Sequence, residues 1–214
     1  NNQINNRTLM LAGISHDLRT PLTRMNLQIA LLSDKNASKN LGDDVSEMRE
    51  MIDNYLAFAR GEKEEKIKNI NIFNLIKNLC EKDIINASKT IKNKVTKNLY
   101  INIKPLAMKR ALLNIISNAV SYSKNTVEIK SIKNDNFLNV FIEDDGKGIP
   151  KNKREEVFKA FYRIDESRQS ASANTGLGLT IAKDIIQGHG GRIILNTSNL
   201  GGLRVEITLP IKTL

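Results

Sequence analysis

Apolar residues in the first sixty positions step along the chain by four and three. Leu18, Leu22, Met25, Ile29 and Leu32 keep this spacing, and Val45, Met48, Ile52, Tyr55 and Ala59 repeat it. Such a seam belongs to helices packed in a bundle or coiled coil. Between the two runs, Ser33 to Gly42 is polar and poor in helix formers, which predicts an inter-helix turn. The two runs together read as a helical hairpin over residues 1–61. A lone two-helix hairpin buries too little apolar surface to be stable, so pairing with a second copy as a four-helix bundle is expected. Gly61-Glu-Lys-Glu-Glu-Lys66 is highly charged and reads as solvated, within an expected linker over 62–69.

The pattern then becomes mixed. Phe73 to Asp83 and Pro105 to Tyr122 read as helices, the second opened by Pro where a missing N–H costs nothing. Thr126 to Lys133 and Phe137 to Asp144 alternate as strands joined at Asn134-Asp135-Asn136. Leu177 to Gln187 reads as a helix ended by Gly188. Arg192 to Thr197 and Leu203 to Leu209 read as a closing hairpin about Gly201-Gly202. Strands and helices interleaved in this way predict one α/β sandwich over 70–214, making the whole chain α+β.

Composition narrows the class. With 214 residues, 40% of them hydrophobic and 26% charged, the chain can bury a core and is neither disordered nor collagen-like. Its single cysteine, Cys80, excludes an internal disulfide framework and a cysteine-cluster metal site, and fits a reducing, cytoplasmic setting. No apolar run reaches the ~18 residues of a membrane span. The chain begins at Asn1 rather than Met, so it reads as a piece of something longer, with any membrane anchor outside it. Lys and Arg number 33 against 23 Asp and Glu, a net +10. A polyanionic partner is one reading of that charge, and a Lys-, Asn- and Ile-rich composition is the other. The basic residues are scattered, and there is no Trp for base stacking, so a nucleic-acid footprint is not expected.

Four clusters carry candidate chemistry. In Ser15-His16-Asp17-Leu18-Arg19-Thr20-Pro21, His16 lies two residues before the seam, about 200° around the helix, and so faces solvent. A neutral imidazole there can act as a nucleophile, with Asp17 able to orient it and Thr20 one turn on able to position a water. Pro21 removes the N–H that would bond the Asp17 carbonyl, which predicts a bend. Taken alone, His16 also reads as a solvated surface residue. Asp144-Asp145-Gly146-Lys147-Gly148-Ile149 ends a strand. A carboxylate there can take a ligand amine while glycines let a flat ring approach, although a plain tight turn has the same appearance. Asn174-Thr175-Gly176-Leu177-Gly178-Leu179 opens a helix whose free N–H groups suit phosphate. Asn114 and Asn118, one turn apart, offer amide oxygens to a hard cation beside substrate phosphates, or are two exposed asparagines in an Asn-rich chain.

In order and spacing, His-Asp-Leu-Arg-Thr-Pro-Leu, the Asn pair, Asp-Asp-Gly-Lys-Gly, Phe158-Lys-Ala-Phe161 and Thr-Gly-Leu-Gly-Leu resemble the orthodox sensor histidine kinases of bacterial two-component systems. The histidine segment is similar to that of the osmosensing type, and the resemblance runs from about Leu9 to Leu209. It implies a dimerisation and histidine-phosphotransfer hairpin followed by a Bergerat-type ATP-binding sandwich. It further implies ATP and Mg2+ as cofactors, a homodimer, and a response-regulator receiver domain as partner. The chain would be the cytoplasmic portion of an inner-membrane sensor. On matching positions, the resemblance makes His16 the phosphoacceptor, Asp17 its base or orienting partner, and Thr20 a contributor to phosphatase chemistry. Asn118 would ligate Mg2+ with Asn114 beside it, near Tyr122. Asp144 would bind the adenine amine, with Gly146, Gly148 and Ile149 along the base. Phe158 and Phe161 would anchor an ATP lid over residues 149–175. Thr175, Gly176, Leu177, Gly178 and Leu179 would lie by the phosphates, with Arg163 and Arg168 as lid cations. His189 would be structural. Related ATPases carry a water-activating Glu where Asn114 sits, so transfer to His16 is favoured over hydrolysis.

The chain departs from the family pattern at Asn174, where Gly is usual, and at Ser121, where Lys or Arg is usual. These departures imply altered lid behaviour and weaker ATP binding or slower turnover. They also support a rival reading, a nucleotide-binding switch without phosphotransfer. A basic nucleic-acid-binding protein is the other rival, and would show strongly salt-dependent affinity for DNA.

Overall fold

The computed structural model describes residues 20–32, 34–42, 44–46, 48, 65–84, 89–164 and 176–211. The chain divides into two compact units, Asn1–Glu64 and Glu65–Leu214.

In the first unit, residues 20–30 and 35–42 are helical. Leu22 and Val45 from the two seams are buried, Met25 and Ile29 half-buried, and Leu32 and Met48 exposed. The helix-poor turn expected over 33–42 is corrected, since most of that stretch is helical. Asp34 is the reason. Its Oδ1 accepts from the N–H groups of Asn36 (2.8 Å) and Ala37 (3.1 Å), and its carbonyl accepts from Ser38 N–H at 2.9 Å. An N-cap of this kind satisfies the otherwise orphaned donors and starts a helix from a polar sequence. Ser38 Oγ then donates to the Ile29 carbonyl at 3.0 Å, tying the two helical stretches together. Leu18, Ile52, Tyr55 and Ala59 lie outside the described residues.

The second unit is a two-layer sandwich. Its strands are β1 (Lys68–Asn71), β2 (Thr90–Lys94), β3 (Tyr100–Ile103), β4 (Thr126–Lys133), β5 (Phe137–Asp144), β6 (Arg192–Thr197) and β7 (Leu203–Pro210). Its α-helices are α1 (Ile72–Asn78), continued by a π turn over Leu79–Asp83, α2 (Pro105–Tyr122) and α3 (Gly178–Gly188). Five strands form one sheet in the order β2-β4-β5-β7-β6, while β1 and β3 pair separately. Only the β2–β4 pairing within the large sheet is parallel. Strand alternation sends Val127, Ile129, Val140, Ile142, Val205 and Ile207 to one face. There they form one core with Met108, Ala111, Leu112, Ile115 and Ile116 of α2 and Ile181, Ala182, Ile185 and Ile186 of α3.

The helix read from Pro105 to Tyr122 and the strands from 126 and 137 stand at the boundaries expected. The expected linker divides, because Lys68 and Asn69 already belong to β1. Strands β1, β2 and β3 come from Asn- and Lys-rich segments without an alternating signal, and gain their place from partners distant in sequence.

Candidate functional site

Helix α2 is the spine of the site. Asn114, Asn118 and Tyr122 follow one another at intervals of four, so they line one edge of it beside the buried stripe. Both asparagines face the start of α3: a Cβ added at Gly178 would stand 3.7 Å from the Asn114 side chain and 3.7 Å from Asn118 Nδ2. Asn114 Nδ2 is buried with no hydrogen-bond partner among the described residues. Among the described residues no side chain caps α3, and its first-turn N–H groups have no acceptor within the helix. An open helix N-terminus next to two amides is a place for an anion and its counter-ion. Among the described residues no cluster of three His, Cys, Asp or Glu could hold a metal. Amide oxygens such as these can join phosphate and water oxygens around a hard cation.

Asp144 closes the other end of the site. It is the last residue of β5, points to the core face, and is only 3% exposed. Its Oδ1 accepts from Gly146 N–H at 2.8 Å and Leu203 N–H at 3.1 Å, and among the described residues no donor reaches Oδ2. Burial pushes its carboxyl above the ordinary aspartate range, partly offset by those two N–H groups. Around it the backbone is packed too closely for side chains. A Cβ at Gly146 would lie 2.2 Å from the Tyr122 carbonyl oxygen, and one at Gly202 would lie 2.1 Å from Asp144 Oδ1. Gly148 has φ +68° and abuts Gly202. Asp145 turns outward, where the N–H groups of Lys124, Asn125 and Thr126 converge on its carboxylate and fix the start of β4.

The segment between these two ends is pinned where it leaves and re-enters the sandwich. Arg154 donates to the carbonyls of Ile149 (3.1 Å) and Leu195 (3.3 Å) and to Thr197 Oγ1 (2.8 Å). Phe158 is buried beneath Lys183, whose Nζ lies 4.9 Å from the ring centroid, and Thr180 Oγ1 donates to the Phe158 carbonyl at 2.9 Å. Phe161 is exposed with φ +64°, and its N–H donates to the Gly176 carbonyl at 3.1 Å. A Cβ at Gly176, itself at φ +70°, would fall 2.9 Å from the Phe161 backbone.

The structure thus brings together Asn114, Asn118, Tyr122, Asp144, Gly146, Gly148 and Gly176 to Leu179, with Leu177 buried, Ile149 and Leu179 half-buried, and Tyr122 exposed. Arg163 is exposed near the end of the described stretch 89–164. His16, Asp17, Arg168, Asn174 and Thr175 lie outside the described residues; Thr20 is described, helical and exposed. His189, expected to be structural, accepts from Lys104 N–H through Nε2 at 3.0 Å and bonds the Ile185 carbonyl through Nδ1 at 2.7 Å. Sequence reasoning missed Gly202, Asp145, Arg154 and Thr180 as parts of the site's frame. Gly202 was visible only as half of a hairpin glycine pair, and Arg154 carried no signal.

A mixed sheet here carries a helix start beside an amide pair at one end and a buried strand-end carboxylate at the other. Residues 103–213, more than half of the chain, match the family described as "Histidine kinase-, DNA gyrase B-, and HSP90-like ATPase", and residues 6–64 match "His Kinase A (phospho-acceptor) domain". The chain belongs to that ATPase family, with the phospho-acceptor match preceding it along the chain. It is 33% identical over 216 residues to the sensor histidine kinase CpxA of Escherichia coli K12, covering 94% of this chain and 46% of CpxA. It is 30% identical over 209 residues to the E. coli K12 sensor protein RstB, covering 94% and 48%. The chain therefore spans about half the length of these relatives. Among solved structures, full-length ShkA in complex with AMPPNP shares the fold at TM-score 0.77 and 22% identity, over 96% of this chain and 46% of ShkA. The Acinetobacter baumannii histidine kinase AdeS does so at TM-score 0.68 and 22% identity, over 92% and 98%. No helix among the described residues is long and apolar enough to cross a membrane.

Proposed function

We propose that this chain is an ATP-dependent protein-histidine kinase that phosphorylates its own His16 and passes the phosphoryl group to an aspartate on a response-regulator receiver domain. The observation that carries the reading is the pairing of a buried, glycine-flanked carboxylate at Asp144 with a helix start beside Asn114 and Asn118.

In this reading Asp144 accepts the adenine amine through Oδ2, with Gly146, Gly148 and Ile149 against the ring and Tyr122 at its edge. Thr175 and the backbone of Gly176 to Leu179 receive the phosphates, with Asn114 beside them. Phe158 and Phe161 hold the base of the lid, which carries Arg163 as a cation for the phosphates. The Asn118 amide oxygen, together with substrate phosphate oxygens, would hold Mg2+, which would supply charge neutralisation at the transferring group. A ring nitrogen of His16 bonds to the γ-phosphorus as the bond from phosphorus to the ADP oxygen breaks, and the other ring nitrogen gives its proton to Asp17. Asp17 and Thr20 would also serve dephosphorylation of the partner by placing a water. The partly exposed seam of the first unit supports assembly as a homodimer. The family resemblance supports a cytoplasmic position in an inner-membrane sensor.

Asn174 and Ser121 favour a second reading, a switch that binds nucleotide without transferring phosphate. The two separate in one experiment, incubation with Mg2+ and ATP labelled at either the α or the γ phosphate. Kinase activity predicts stable protein label from γ-labelled ATP only, abolished by Asn118→Ala. Nucleotide binding without γ label would establish the switch.

A further inference from the structure

Glu143 precedes Asp144 on β5, so its side chain stands on the opposite face of the sheet, away from the core and the nucleotide niche. It is nevertheless only 2% exposed. Its Oε2 accepts from Ser198 Oγ (3.1 Å), Asn199 N–H (3.1 Å) and Arg204 (3.2 Å), and Lys130 lies 3.7 Å from Oε1. Burial alone would raise its carboxyl, but the Asn199 N–H, Arg204 and Ser198 outweigh that and hold it below the usual glutamate range. A buried ionised group this fully engaged is an anchor and not an accident of the surface.

What it anchors is the turn between β6 and β7. Ser198 N–H donates to the Gly202 carbonyl at 2.9 Å, Gly201 N–H to the Ser198 carbonyl at 3.1 Å, and Leu200 N–H to Ser198 Oγ at 2.9 Å. The far side of the same turn grips Asp144: Gly202 N–H donates to its carbonyl at 3.1 Å and Leu203 N–H to its Oδ1 at 3.1 Å. The turn is thus strung between two consecutive residues of one strand, held by the side chain of the first and holding the carboxylate of the second.

We infer that Glu143 is a positioning residue for base selection: through the Ser198–Leu203 turn it fixes the rotation of the Asp144 carboxylate, and with it the preference for a 6-amino purine over a 6-oxo purine. This rests on the reading of Asp144 as the adenine-binding carboxylate. A carboxylate aimed at position 6 accepts from an amine and repels a carbonyl oxygen, whereas one free to rotate does neither well. Glu143 touches no substrate, so its effect should fall on the base and leave the phosphates alone.

The test is calorimetric titration of the full chain with ADP and, separately, IDP, in Mg2+. The two ligands share their sugar and diphosphate. Glu143→Ala is expected to weaken ADP about tenfold, the scale of one hydrogen bond to a charged group, while IDP changes less than about twofold. Glu143→Gln, whose amide oxygen can still accept from Ser198 and Asn199, is expected to retain most of the ADP preference. Ser198→Ala removes one tether, leaves Glu143 in place, and decides the matter should Glu143→Ala fail to fold; it is expected to lower the ADP-to-IDP ratio about threefold. If ADP and IDP weaken in parallel, or the ratio is unchanged in both the Glu143→Ala and Ser198→Ala chains, the inference is overturned. A ratio lost in Asp144→Asn but intact in those variants overturns it while sparing the role of Asp144. An unmodified chain that binds ADP and IDP alike overturns both.

Discussion

Single atoms decide the shape of the niche. A methyl group at Gly202 would stand 2.1 Å from Asp144 Oδ1 and 2.4 Å from Gly146 N, both rigidly held, so the turn must move away. Gly202→Ala is therefore expected to destabilise the chain by about 1–3 kcal/mol, the range for overpacking. Gly188 has nothing within 4 Å of its missing Cβ, and Gly188→Ala should be neutral or raise the melting temperature. Thermal melts of the two variants, with and without ADP, check both, and ADP should rescue Gly202→Ala less than the parent. Asp144 makes a second prediction. Because burial raises its pKa, acidification protonates it above the ordinary aspartate value of about 3.9. The ADP-over-IDP preference should therefore fall as pH drops toward that range, having been fully present at higher pH. Asp144→Asn should show little preference and no such pH dependence in the same titration. Asp144, Asn118 and Gly178 were legible in the sequence because a short motif held each of them. Gly202 and Glu143 were not, because their roles come from a strand that lies beside β5 only after folding.

At the scale of elements, α2 is held at both ends by charges from elsewhere. Glu65 accepts from the N–H groups of Leu106 (2.6 Å) and Ala107 (3.0 Å), supplying the N-cap that Lys104 does not. At the other end Lys89 Nζ donates to the carbonyls of Val120 (2.6 Å), Ser121 (3.3 Å) and Ser123 (2.8 Å). Each places the sign of charge that the helix dipole favours. Glu65→Ala and Lys89→Met should each lower stability by about 1 kcal/mol in urea unfolding. Their effects should add, since the 18-residue helix separates the sites by roughly 27 Å. The helix itself was readable from its apolar stripe and opening Pro, but its caps were not. Glu65 sits in what reads as a solvated charge run, and Lys89 lies 31 to 34 residues upstream of its carbonyls. Strands β4 and β5 announced themselves by alternation, while β1 to β3 are too short and polar to do so. Asp34 likewise turned a polar stretch into helix that composition alone had marked as a turn.

At the scale of the molecule, the sequence order of five weak motifs was enough to give the family, because their joint spacing carries information that none has alone. What the order does not contain is the assembly. Leu32 and Met48 of the seam are exposed within one copy, at 43% and 45%. The chain is expected to run at twice its 24.0 kDa in light scattering, and Met48→Lys to shift it toward the monomer. The kinase reading joins the two units chemically, since nucleotide bound in the second must phosphorylate a histidine in the first. The most direct measurement is therefore the fate of the γ-phosphate in the full chain and in His16→Ala, with Mg2+ and γ-labelled ATP. The account predicts label that is acid-labile and alkali-stable, present in the parent chain and absent from His16→Ala while ADP binding is unchanged. Label that persists in His16→Ala, or that survives acid, would contradict it.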